Sequence, residues 1–199
     1  MSENKYKGAM IFLFMAICYA CTGSYEANRL MNEAELLLAA NPDSSRSLLD
    51  DAEFLIQGDR DFARWCLLSG KTEDEMRKIR KPKPLLSVSQ WLRAEAYYDR
   101  RGTPEEKAQI KMYLGRSLCD DGRYDDAVAV YKEGLDFARK AEAYSLAGYL
   151  CSFMGDLYLD QGNRTKMIHC VKRVIFVGMK TSNYFSEVSD PRVTGRCLH

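Results

Sequence analysis

"LGRSLCDDGRYDDAVAVY", Leu114 to Tyr131, reads as two helical stretches joined at a glycine. Apolar residues recur three and four apart on both sides of Gly122, and Asp120, Asp121, Asp125 and Asp126 crowd the join. A second glycine, Gly115, falls inside the first stretch. Glycine inside a helix costs about 1 kcal/mol relative to alanine, so one retained there predicts a position where a side chain would not fit. The paired aspartates lack the spaced oxygen ligands and terminal glutamate of a calcium loop. Asp125 and Asp126 fall where a helix start favours carboxylates, which is sufficient reason for them.

Working outward, the same arrangement returns 40 residues later. "YLGRSLCDDGRYDDAV", from Tyr113, aligns with "FMGDLYLDQGNRTKMI", from Phe153, setting Gly115 on Gly155, Leu118 on Tyr158 and Gly122 on Gly162. A fixed period of this kind marks a repeat architecture. From Ser24 onward the apolar spacing is helical, and no run alternates with the period of two that strands need. The fold expected is all-α, with helices near 24–40, 44–57, 60–78, 86–101, 104–121, 123–140, 143–161 and 164–178, in four antiparallel pairs. "SVSQ", Ser87 to Gln90, and "TPEE", Thr103 to Glu106, are capping boxes; "NPDSS", from Asn41, and "QGDRD", from Gln57, break the earlier pattern.

Leu114, Gly115, Leu118, Gly122, Ala127, Tyr131 and Gly134 together resemble the tetratricopeptide repeat (TPR) motif, with Lys111 in place of the family's opening tryptophan and Arg139 in place of its closing proline. The second unit, ending at 178, keeps Gly155, Tyr158 and Gly162 but carries Met167 and Val171 at the small and aromatic positions. Ala94 with Tyr98 repeats the second-helix spacing, and Ala52 with Ile56 echoes it. The resemblance implies an α-solenoid of antiparallel helix pairs wound as a right-handed superhelix. Two TPR-like repeats would span 104–178 and degenerate helical repeats 21–101. It also implies a groove lined by first helices, at Gln109, Met112, Arg116 and Cys119 in one repeat and Tyr149, Ser152, Asp156 and Leu159 in the next. That mixed set has no lysine and arginine clamp for a peptide carboxylate, so the partner implied is a protein or peptide of no stated preference.

At the amino terminus Lys5 and Lys7 precede an apolar run, Gly8 to Ala20, followed by Cys21, Thr22, Gly23 and Ser24. Its 13 residues are short for a membrane span, which needs about 20. The order is that of a signal peptide over 1–20. "CYAC", Cys18 to Cys21, resembles the lipobox of bacterial lipoproteins, which implies lipid on Cys21 and a chain tethered in a Gram-negative envelope, facing periplasm or exterior. An uncleaved anchor and a buried apolar helix are the other two readings of this run.

Twenty-nine basic residues against 28 acidic ones leave +1, so the bulk charge of a nucleic-acid binder is missing and no nucleic acid is expected. "MRKIRKPKP", Met76 to Pro84, is a basic stretch without interleaved aromatics and reads as a solvated helix end and linker. Cys66, Cys119, Cys151, Cys170 and Cys197 form no CxxC pair or disulfide framework; the first three read as small hydrophobes in helices. "SGKT", Ser69 to Thr72, has Trp65 where a phosphate-binding loop needs glycine. His169 beside Cys170 points about 100° away on a helix, poor geometry for a thiolate–imidazole pair. No catalysis, cofactor or metal is therefore expected. The leading reading is a lipid-anchored, non-enzymatic scaffold. The alternative is the sensor half of a larger membrane-associated TPR signalling protein. A last helix rich in Val171, Val174, Ile175, Phe176 and Val177 suits cover by the polar tail, 179–199, a partner or a second copy.

Overall fold

The computed structural model describes residues 23–78 and 86–180, with side chains as far as Lys172. Residues 1–20, expected as a signal peptide, Cys21, the tail beyond Lys180 and the apolar side chains of the last helix from Val174 onward lie outside the described residues. Every regular element described is a helix: α1 (23–37), α2 (Pro42–Glu53), α3 (Gly58–Arg77), α4 (Val88–Arg101), α5 (Pro104–Asp120), α6 (Tyr124–Lys140), α7 (Tyr144–Asp160) and α8 (Arg164–Lys180). They fall into two compact units divided between Pro84 and Leu85.

In the first unit, α1 buries Ala27, Leu30, Met31 and Ala34, the i, i+3, i+4, i+7 stripe of an amphipathic helix. Polar groups mark its seam with α3: Ser24 Oγ donates to Asp61 at 2.8 Å, and Arg64 donates to Asn32 at 2.7 Å and Glu35 at 2.9 Å. Asn41 caps α2 by accepting from the Ser44 N–H, with Pro42 just inside the helix. The indole N–H of Trp65 on α3 donates to the Leu49 carbonyl at 2.8 Å, fixing α3 against α2. Helix α2 ends at Glu53, short of the expected 57, so Ile56 lies outside any helix and the Ala52/Ile56 echo of the repeat is not formed.

The second unit is a run of consecutive helices, each packed on the next from α4 to α8, with α5 also touching α7. Both expected capping boxes are formed. Gln90 N–H donates to Ser87 Oγ and Ser87 N–H to Gln90 Oε1; Thr103 and Glu106 do the same. Helix α4, grouped by the sequence with the degenerate repeats of 21–101, belongs instead with α5. Trp91 stacks on Tyr113 with centroids 5.0 Å apart, and Glu95 pairs with Lys111 at 2.5 Å. Ala94 and Tyr98 are buried there, as Ala127 and Tyr131 are on α6.

Helices α5 to α8 are each 17 residues long and are joined by identical three-residue turns. Gly122, Glu142 and Gly162 stand in the left-handed region, with φ of 75°, 54° and 70°. In each turn the next residue's N–H reaches back to close the helix: Arg123 to Leu118, Ala143 to Ala138, Asn163 to Tyr158, at 2.7 to 2.9 Å. That is the Schellman closure, which supplies partners for carbonyls the helix end leaves over.

Gly115 meets a side chain rather than a backbone. A Cβ there would stand 2.3 Å from Cε1 of Tyr131, whose ring lies flat in the space. Gly155 does not share this role. Its Cβ would meet only Cys170 Cβ, at 3.6 Å, because Val171 occupies the position equivalent to Tyr131 and is far smaller. Gly134 is the true three-helix crossing: a Cβ there would be 3.0 Å from Lys111 on α5 and 3.3 Å from Leu150 on α7.

Candidate functional site

Positions spaced three, four and three apart lie on one side of a helix. Gln109, Met112, Arg116 and Cys119 are so placed on α5, and Tyr149, Ser152, Asp156 and Leu159 on α7, the two first helices that touch. The structure thus puts the two sets on helices that touch. Their depths differ. Tyr149 is 43% exposed, whereas Gln109, Ser152, Asp156, Leu159 and Cys119 are half-buried. Met112 and Arg116, at 6% and 8%, form the floor rather than the lip.

Arg116 is held by two rings. Its guanidinium carbon lies 5.5 Å from the centroid of Tyr113 on its own helix and 5.5 Å from that of Phe153 on α7. A guanidinium against aromatic faces gains cation–π attraction while its methylene stem covers apolar surface. Phe153 in turn stacks on Tyr131 at 5.8 Å, and Tyr131 Oη lies 3.6 Å from Cys119 Sγ. Trp91, Tyr113, Arg116, Phe153 and Tyr131 therefore form one chain of contacts across four helices. Phe153 was not among the groove positions read from the sequence. Its signal was present, since Phe153 is the repeat partner of Tyr113, so aromatics at equivalent positions of successive repeats clasp one arginine.

Burial pushes the Cys119 thiol up and, with Cys119 beside it, raises the Tyr131 hydroxyl well above its ordinary value. Both groups are neutral at physiological pH and supply packing and hydrogen bonding. Behind the face, Lys111 bridges Glu95 on α4 and Glu133 on α6, each at 2.5 Å. Burial alone would lower its pKa, and the two carboxylates outweigh that and raise it.

Elsewhere the chemistry is that of packing. Cys170 is buried with its thiol pushed up by desolvation, while His169 is exposed. The SGKT segment lies within α3, where Thr72 Oγ1 and Ser45 Oγ are 3.1 Å apart in the core, so no loop of backbone amides exists there to cradle a phosphate. Among the described residues no group of three or more His, Cys, Asp or Glu could hold a metal ion, and no helix is long and apolar enough to cross a membrane. No family model, curated protein or solved structure matches the chain.

Proposed function

We propose that the chain is a non-enzymatic interaction scaffold of the TPR kind, exported and tethered through lipid on Cys21, whose α5/α7 face binds a protein or peptide. The observation that carries the reading is the Arg116 clasp. Tyr113 and Phe153, one repeat apart, meet the same guanidinium, so the two repeats are joined beneath one face, on which Tyr149 of α7 is exposed. A floor of aromatic and arginine side chains with a polar rim is the composition of protein interfaces. The 40-residue spacing is longer than the about 34 of most TPR units because each helix here runs 17 residues. Within this proposal the chain is a long-helix variant.

The test is recovery of the chain with its partner from the native envelope, repeated with Tyr149→Ser and Ser152→Arg combined. Loss of the partner from this variant, with retention by Lys132→Glu on the exposed side of α6, is the expected result. Retention by both variants would contradict the assigned face. Palmitate labelling lost in Cys21→Ala checks the tether separately.

A further inference from the structure

At one end of the first unit the turn between α2 and α3 presents three consecutive apolar residues, Phe54, Leu55 and Ile56. Phe54 is 87% exposed, and Leu55 and Ile56 are half-buried. A phenylalanine this exposed, followed by two half-buried apolar side chains, gives the turn an apolar tip able to make a contact. The start of α1 lies against this turn. A Cβ at Gly23 would stand 2.7 Å from Gln57 Nε2 and 3.9 Å from the Leu55 carbonyl oxygen. Tyr25, in that same first turn of α1, is 74% exposed.

Cys21 stands two residues before Gly23. Two residues span at most about 7 Å, so a lipid on Cys21 would enter its bilayer beside this turn. We infer that Phe54, Leu55, Ile56 and Tyr25 form a membrane-docking tip that inserts into the lipid interface next to the anchor. The inference rests on the proposed tether at Cys21. It equally suits the uncleaved apolar run, Gly8–Ala20, which would bring the same end of the unit to the bilayer. A single attachment through a flexible linkage leaves a domain free to tumble; a second apolar contact fixes which side of it faces the membrane. Phenylalanine and tyrosine suit this depth, one wholly apolar and the other with a hydroxyl that stays in the headgroup layer. Asp51 and Glu53 precede the turn and Asp59 and Arg60 follow it, which leaves the flank net negative, so the tip favours a zwitterionic surface over an anionic one.

The experiment uses the full-length chain purified from its native envelope and reconstituted in phosphatidylcholine vesicles with brominated acyl chains. Phe54→Trp serves as the reporter and Tyr124→Trp as an exposed control; Trp65 and Trp91 are buried and give the background seen in the unsubstituted chain. Emission from the reporter indole should shift to the blue and fall roughly twofold, with the control unchanged, as for a side chain at acyl depth. Flotation with the vesicles distinguishes the two claims. If the chain floats and the reporter stays unquenched, the attachment at this end stands, palmitate labelling lost in Cys21→Ala shows whether that attachment is the lipid, and the tip is overturned; if it does not float and the reporter stays unquenched, both are overturned. A reporter already blue-shifted in detergent and unquenched in vesicles would mean that Gly8–Ala20 of the same chain covers the turn, which also overturns the tip.

Discussion

Whether residue 115 carries a methyl group decides where the Tyr131 ring can sit. With a Cβ only 2.3 Å from that ring, Gly115→Ala must displace a buried tyrosine, and overpacking of this kind costs about 1–3 kcal/mol. At Gly155 the added Cβ makes an ordinary contact, so Gly155→Ala should stabilise by about 0.5–1 kcal/mol through helix propensity. Urea unfolding of the two variants measures this, and shifts of the same sign would contradict it. The repeat register was legible in both glycines. Their different roles were not, because they depend on Tyr131 against Val171 on the facing helix. Cys151 gives a pH test. Burial raises its thiol from 9.0 to about 11, so the native state keeps a proton that the unfolded chain releases. Stability is whole below the unfolded value and declines as pH rises from 9.0 to about 11, by about 2–3 kcal/mol. Unfolding of Cys151→Ala across that window should show a shallower decline, with Cys119, Cys170, Tyr131, Tyr158 and Lys111 contributing to what remains; an unchanged slope would contradict the assignment.

Between elements, Lys111 is the joint. Its stem passes Gly134 and its ammonium holds α4 and α6 to α5. Lys111→Ala strands the largely buried Glu95 and should cost about 3 kcal/mol, whereas Glu133→Ala, at an exposed partner, should cost less than about 1 kcal/mol. Equal losses in denaturant unfolding would contradict the joint. Helix starts were the most legible feature, since Ser87/Gln90 and Thr103/Glu106 encode their own boundaries in side chains three residues apart. The allegiance of α4 was not legible, because it depends on Trp91 meeting Tyr113 and on a lysine standing where the repeat motif has tryptophan. The third left-handed turn was hidden for a related reason: Glu142 adopts there the φ that glycine takes at 122 and 162.

At the scale of the whole chain, and among the described residues, a first unit of three helices carries the apolar turn between α2 and α3, and a second unit of five carries the α5/α7 face. The positions of the candidate site came from the TPR resemblance, carried onto equivalent places of the 40-residue repeat, and they fall on α5 and α7. Their depth was not legible, since Met112 and Arg116 are buried, the latter with its guanidinium against the rings of Tyr113 and Phe153. The central claim is that this face holds another chain, and site-specific photo-crosslinking in living cells tests it most directly. A photoreactive residue at Tyr149, and another at Lys132 on the exposed side of α6, should give different results. A discrete adduct at 149, absent at 132, is the result predicted. Adducts of the same species and yield at both positions, or none at 149 while 132 crosslinks, would contradict it.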